Sequence, residues 1–495
     1  MNTQAVYDQL IALSGRVFQS RLEAADTVTA IFNEHMAVLT HGGKTGYVQW
    51  AREPKHGEKP SEQPRVHYMS ASDTTTLFEP CVVAYRNGKN IDIASAFRLW
   101  KGHPGRRTCH GLIFDATLAD DNDSILNLYF GPGVAPADTQ EDGGWDLLWE
   151  LMLNGICGNE PDPEEAANDL LSFLAWKLQN PCRQPEKALV LRGGKGTGKN
   201  TLLDIFGYVL GPAYYQMVTS REHAFNRFNA HLLNCALLVL NEAWWRGDKR
   251  EEGILKGLVT DPILPVEIKF GPMVMADNHL MVALLANADW VVPASLDERR
   301  FHVLDVTDAY RNNTGFFGRL RAQMVAGGYA AFARYLLDMD LDRWHPRQLN
   351  GTRGLKRQKA LSLEPHLQWL AALVEDPIGV PDVYGASLTP KVHPDHKGPA
   401  PACIWEHWED NPIFAGTREQ LHAAYRDWTR THCSHYRSGE LLSPRGLTNA
   451  LTKDTGRLVY PSQRHIDRKK VRGWFFRSRK ELQKCLQQHI ETEDN

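Results

Sequence analysis

A chain of 495 residues, 42% hydrophobic and 23% charged, has the composition of a globular protein of two to four domains with a sizeable core. Its net charge of −3 excludes a surface that coats nucleic acid throughout, so any such contact must be local. No apolar run approaches the ~20 residues of a membrane span, and the N-terminal stretch lacks a signal-peptide pattern.

The eight cysteines (81, 109, 157, 182, 235, 403, 433 and 485) include no C-x-x-C pair. That predicts free thiols in a reducing, cytoplasmic compartment, with no structural zinc.

Residues 3–35 read as helix, with Val6, Leu10, Leu13 and Val17, then Val28, Ile31 and Phe32, at helical spacing. Short apolar or alternating runs at 37–39, 46–48, 82–85, 111–114 and 126–130, broken by Gly, Asn, Asp and Pro, make 37–135 strand-rich. A polar loop is expected at 52–64. The whole of 1–140 is read as a mixed α/β accessory region. Asp115, Asp120, Asp121 and Asp123 fall in an Asp/Asn-rich turn rather than on strands, so no priming activity is expected.

From Trp145 the period is again helical. Leu147, Leu148, Leu151 and Met152 form one stripe, and Leu170, Leu171, Phe173 and Leu174 another, which assigns 141–186 to a helical oligomerisation region.

The next segment, 187–308, carries the chemistry. An apolar strand (188–191) leads into Gly193, Gly194, Lys195, Gly196, Thr197, Gly198, Lys199, Asn200 and Thr201, and then into a helix with Leu202, Leu203, Phe206 and Val209 at helical spacing. Glycines let the backbone aim several N–H groups at one anion, the helix dipole points at the same place, and Lys199 can reach the outer phosphates. The strand–loop–helix context predicts an ATP-binding phosphate loop. Asn200 stands where Ser or Thr would ligate magnesium, and an amide oxygen is an acceptable hard ligand.

A second strand (236–240) ends in Asn241-Glu242. Glu242 takes the position of the base that orients the attacking water, and Asn241 replaces the acid that would assist Mg2+. A third strand (279–286) delivers Asn287 as a sensor of the γ-phosphate. Arg299 and Arg300 suit an arginine finger acting on a neighbouring subunit's nucleotide, or else a surface salt bridge with Asp297 or Glu298. Lys199, Glu242, Asn287 and Arg299 fall within about a hundred residues.

Beyond this core, 309–365 is read as a helical subdomain and 366–415, dense in Pro, Gly, His and Asp in its greater part, as a linker. The capping-box pattern Thr417-Arg418-Glu419-Gln420 opens a domain over 416–490. Residues 426–480 hold fourteen Lys or Arg against four acids, a local charge of +10. A helix at 418–431, another at 447–454 and a strand pair near 467–476 resemble a winged helix-turn-helix. Its cations Arg445, Lys453, Arg468, Lys469, Lys470 and Arg472 would meet duplex DNA phosphates, with Trp474 and Phe475 in the core. A merely solvated basic face is the plainer alternative.

Together the runs at 194–201, 225–231, 241–248, 287–293 and 297–301 resemble the superfamily 3 helicases, specifically the helicase part of phage, plasmid and poxvirus-type primase-helicases. The resemblance covers about 140–310. It implies an α/β, P-loop, AAA+-like parallel-sheet core, ATP and Mg2+ as cofactors, and a homo-oligomeric ring, taken as a hexamer. Single-stranded DNA would lie in the channel, touched by a hairpin bearing Lys256 and Lys269. Members resembling it carry Asn after the loop lysine; Asn241 departs from the pattern.

The expected function is an ATP-dependent DNA helicase replicating a phage or mobile genetic element in a host cytoplasm, beside a separate primase or initiator. The alternative is a replication initiator that uses nucleotide as an assembly switch and unwinds little.

Overall fold

The structure, a computed structural model, describes residues 2–41, 44–51, 65–118, 124–139, 144–219, 229–241, 249–268, 273–287, 299–349, 351–375, 391–392, 407–432, 441–466 and 469–491. Two compact units emerge. One is built from the described residues up to Asn241, those of 250–287 and those of 300–349, the other from the described residues of 351–491.

The first unit begins with α1 (Asn2–Ala12), β1 (Val17–Phe18) and α2 (Arg21–His35). Next come β2 (Met36–His41), β3 (Lys44–Ala51), β4 (Arg65–Met69), α3 (Ala71–Leu77), β5 (Val82–Asn87), β6 (Asn90–Ser95) and α4 (Ala96–Gly102). The region closes with β7 (Thr108–Cys109), β8 (Gly111–Ile113) and β9 (Ile125–Asn127). These strands form sheets of order β4-β3-β2-β7, β1-β5-β6 and β8-β9.

The strand-rich expectation for 37–135 thus holds, with two helices it omitted. Each is set by a serine N-cap: the side chain of Ser70 accepts from Asp73 N, and that of Ser95 from Arg98 N. The expected loop at 52–64 lies outside the described residues. So do Asp120, Asp121 and Asp123, while Asp115 bonds Thr117 within its own turn.

Trp100 anchors this region. Its ring stacks on Phe32 at 5.0 Å, and its Nε1–H donates to Asn33 Oδ1 (2.9 Å). The same oxygen accepts from Arg107 N (2.8 Å), and Asn33 Nδ2 donates to Gly105 O (2.9 Å). The run after Trp100 is therefore tied down by one half-buried amide.

The core of the unit follows α5 (Asp146–Glu150), which continues into a π-helical turn (Leu151–Ile156), and α6 (Pro163–Gln179). Then come β10 (Ala188–Arg192), α7 (Lys199–Leu210), β11 (Tyr215–Val218), β12 (Leu237–Asn241), α8 (Lys249–Thr260), β13 (Ile263–Glu267), β14 (Met273–Asp277), β15 (Met281–Ala286) and β16 (Phe301–Asp305). Helices α9 (Thr314–Gln323) and α10 (Tyr329–Asp338) complete it.

The central sheet has order β11-β12-β15-β10-β16, and every pair is parallel. Its middle strands are buried along nearly their whole length, as continuous apolar runs such as Ala188-Leu189-Val190-Leu191 require when helices cover both faces.

Register aligns the strand ends. Arg192 of β10 pairs with Ala286 of β15, and Asn241 of β12 pairs with Leu285. The loops that leave these three strands therefore start from one edge of the sheet. Lys177, fully buried, braces the opposite end by donating to the carbonyls of Pro181 (2.7 Å), Arg183 (3.0 Å) and His279 (2.6 Å).

The second unit contains α11 (Arg353–Ser362), α12 (Pro365–Glu375), β17 (Lys391–Val392), β18 (Ile413–Gly416), α13 (Arg418–His432), α14 (Pro444–Asp454), β19 (Val459–Ile466), β20 (Lys469–Phe476) and α15 (Arg479–Glu491). Its antiparallel sheet has order β17-β18-β20-β19. Trp369, Trp408, Tyr425, Leu447, Leu451 and Phe476 share one core.

Two expectations change here. The start of the 366–415 linker is instead helix α12, whose His366, Leu367, Trp369, Leu370, Leu373 and Val374 are buried. The second helix starts at Pro444 rather than Leu447, because Ser443 caps it and proline fits a first helical turn. The capping box before α13 forms as read: Thr417 N donates to Gln420 Oε1 (2.8 Å), and Gln420 N to Thr417 Oγ1 (3.3 Å).

Among the described residues no helix is long and apolar enough to cross a membrane.

Candidate functional site

The glycine loop leaves β10 at the sheet edge and turns directly into α7. Gly196 and Gly198 hold φ of +74° and +99°, which L side chains rarely adopt. A Cβ on Gly196 would meet Asn312 Oδ1 at 2.2 Å, and one on Gly198 would meet Leu151 Cδ1 at 2.8 Å. The loop is thus glycine both for its turn and because the π-helical turn and the segment after β16 press against it.

Lys199 opens α7 and is only 6% exposed. Its ammonium donates to the carbonyls of Gly193 and Gly194 (both 2.6 Å) and to Asn287 Oδ1 (3.2 Å), with Thr197 Oγ1 at 3.4 Å. Burial pushes its pKa down to about 8, partly opposed by the Asp308 carboxylate. The predicted lysine and the predicted sensor amide are therefore brought together, from the segments that follow two adjacent strands, β10 and β15.

Asn200 and Asn241 also converge. Their amide nitrogens both point at the sulfur of Met217, at 3.7 and 3.6 Å. Met217 lies on β11, the strand beside β12, which explains why a distant residue joins the pair.

The cleft around these groups, about 400 Å³, is lined by the loop from Lys195 to Thr201, by Asn241, Leu285 and Asn287, and by a wall from the segment after β16. That wall consists of Asn312, Thr314, Phe317 and Arg321. It is fastened to the loop: Asn312 N donates to Gly196 O (2.9 Å). The π-helical turn holds the base of the same segment, since Thr307 N donates to Gly155 O (2.8 Å) and Thr307 Oγ1 to Asn154 O (2.8 Å). A half-buried Arg192–Asp305 pair (2.5 Å) joins the ends of β10 and β16 below it.

Sequence reading missed Met217, Asn312, Thr314, Phe317 and Arg321. Asn312 had a local signal, an Asn-Asn pair suited to its left-handed φ of 56°. The others are placed by the parallel sheet and by α9 alone.

Other candidates fare variously. Glu242, Lys269 and Arg468 lie outside the described residues, as do the side chains of Lys469 and Lys470. Arg299 is exposed and Arg300 half-buried, with the Arg300 carbonyl accepting from Ala188 N (2.7 Å). Lys256 is half-buried on α8. The expected hairpin exists as antiparallel β13 and β14, but its outer face carries exposed Ile263, Met273 and Met275. Arg445, Lys453 and Arg472 are exposed on the second unit.

Residues 191–300 match a family of unknown function (DUF5906). No curated protein sequence matches the chain. The fold is shared with the apo C-terminal region (305–718) of NrS-1, at a TM-score of 0.52 and 16% identity over 91% of this chain and 98% of that one. An A-form apo structure of the same region gives 0.50 and 15%, over 92% and 99%. A JCV helicase reaches a TM-score of 0.27 at 11% identity, covering 47% of this chain and 66% of that one, too low to carry an argument.

The chain is a mixed α/β protein with the NrS-1 C-terminal fold.

Proposed function

We propose that this protein is an ATP-driven DNA helicase of the superfamily 3 type, working as a ring in the replication of a phage or mobile element. The observation that carries the reading is the meeting of Lys199 and Asn287 at the edge of a parallel sheet, over a glycine loop that starts a helix. In open parallel sheets, ligands bind beyond the carboxyl ends of the strands, and helix N-termini attract phosphate.

The loop's cramped glycines and buried lysine fit a nucleotide triphosphate tail. Lys199 would exchange its carbonyl partners for phosphate oxygens, which restore its charge against burial. Arg321 supplies a second cation from α9, and Phe317 an apolar wall. Asn287 would hold an outer phosphate in register. Glu242, next in sequence to Asn241, is assigned the role of orienting and deprotonating the attacking water.

Magnesium fits as a companion of the nucleotide. Asn200 and Asn241 offer amide oxygens, which are hard ligands without charge, and would hold the ion only together with phosphate oxygens. Bound there, it would neutralise charge on the phosphates. Arg299 or Arg300 is assigned to a neighbouring subunit's nucleotide, which requires a ring.

The second unit supports a DNA reading. Its order of helix α12, strand β18, helices α13 and α14, then the β19–β20 pair, with β20 between β18 and β19, is compatible with the winged-helix reading. Its local excess of cations suits a phosphate backbone.

A second reading, a nucleotide-switched initiator that turns over slowly, draws on one observation: both amides at 200 and 241 face a thioether rather than an acid.

The test is strand separation on a forked duplex. ATP-dependent release of the labelled strand, abolished in Lys199→Ala, supports the helicase. Nucleotide-dependent DNA binding without release supports the switch.

A further inference from the structure

We propose that Met217 is a positioning residue for magnesium: its thioether holds the amides of Asn200 and Asn241 with their oxygens toward the nucleotide cleft. The inference rests on the nucleotide-binding reading above and adds a residue that touches neither nucleotide nor metal.

Three elements bring the groups together. Met217 of β11 pairs with Val239 of β12, and Asn241 lies two residues beyond Val239, on the same face of the sheet. Such diagonal neighbours stand about 7–8 Å apart, a distance that a long, unbranched methionine can span. Asn200 reaches the same sulfur from the first turn of α7. The amide nitrogens of Asn200 and Asn241 lie 3.7 and 3.6 Å from Sδ, and both donate to it.

The sulfur stands behind the amides. Among the described residues, Asn200 and Asn241 line the cleft beside Lys199 and Asn287, and Met217 does not. A thioether is also a soft ligand, ill suited to magnesium, which takes oxygen. Holding the metal is therefore not its use.

The chemistry of the contact gives it another. An amide has a donor end and an acceptor end, and a half-turn exchanges them. A thioether accepts and never donates, so it favours the N–H end and opposes the carbonyl. With nitrogen held at sulfur, each Oδ1 is turned away from it, and a cation on that side meets two neutral oxygens. A hydroxyl in place of Sδ would satisfy either end of an amide and select neither. A carboxylate would select as methionine does, but with a negative charge. The usual residues at these two positions need no such help, because a hydroxyl rotates and the two oxygens of an acid are equivalent. Two asparagines do need it, and Met217 supplies it.

The test measures the affinity of the full chain for a non-hydrolysable ATP analogue by calorimetry, in EDTA and in excess Mg2+. The ratio of the two dissociation constants is the gain due to the metal. Met217→Leu keeps the size and apolarity of the side chain and removes the acceptor. It should leave affinity in EDTA unchanged and lower the gain roughly fivefold, about the worth of one ordinary hydrogen bond. In Asn200→Ser/Asn241→Asp protein, which has no amide to orient, adding Met217→Leu should change neither affinity.

An unchanged gain in Met217→Leu would overturn the proposal. So would an equal loss in EDTA and in Mg2+, the mark of packing alone, or the same loss in the Asn200→Ser/Asn241→Asp background. Nucleotide binding by the wild type with no gain from Mg2+ would overturn it and leave the nucleotide reading standing. A wild type that binds no nucleotide would remove both. The expected fall in a chain that separates no strands would uphold the role of Met217 while the helicase reading fails.

Discussion

The buried state of Lys199 makes nucleotide affinity a function of pH. In the free protein its ammonium is held by two loop carbonyls and Asn287, and burial lowers its pKa to about 8. Phosphate oxygens favour the charged form, so binding should return the pKa to about 10 or above. The bound state then holds more protons than the free state between these values, and affinity falls as pH rises through 8. The dissociation constant for ATP should therefore rise roughly eightfold from pH 7.5 to pH 9, and binding at pH 9 should take up nearly one proton. Calorimetry in buffers of different ionisation enthalpy measures both quantities. Lys199→Arg is the control, because a guanidinium does not titrate in this range and its affinity should stay flat. A flat wild-type profile, or an equal slope in Lys199→Arg, would refute the account of this lysine.

Three further outcomes are expected. Asn241→Asp places a charge beside the amide of Asn200 and should lower the magnesium needed for half-maximal ATP turnover; an unchanged requirement would remove Asn241 from the metal's surroundings. Lys177→Met strips three carbonyls of their shared donor and should cost at least about 3 kcal/mol in urea unfolding; a loss below about 1 kcal/mol would mean that water replaces the ammonium. Mixing Arg299→Ala/Arg300→Ala protein with Lys199→Ala protein should restore part of the turnover if the arginines act between subunits, and mixed assemblies without recovery would leave them as local salt-bridge partners.

What could be read from the sequence follows a physical division. The glycine loop, its lysine and Asn287 were legible because strand, turn and helix signals are local and each residue sits at an element's end. That Lys199 and Asn287 would touch was implied only by the order of strands, which register then fixes through Arg192 and Ala286. Met217, Phe317 and Arg321 were not legible, because an alternating strand and an ordinary amphipathic helix carry no mark of the cavity they face. Helix α12 was hidden by its proximity to a Pro/Gly-rich stretch, although Leu367, Trp369, Leu370 and Leu373 have a helical period. The serine caps at 70, 95 and 443 were readable signals that composition-based strand and loop assignments passed over.

The proposed cleft hydrolyses ATP in response to DNA. Steady-state ATP turnover with and without single-stranded DNA, compared with Lys199→Ala, tests it most directly. Turnover in the wild type is expected to rise severalfold with single-stranded DNA and to vanish in Lys199→Ala. Turnover absent from the wild type, or present and equal in Lys199→Ala, would contradict it.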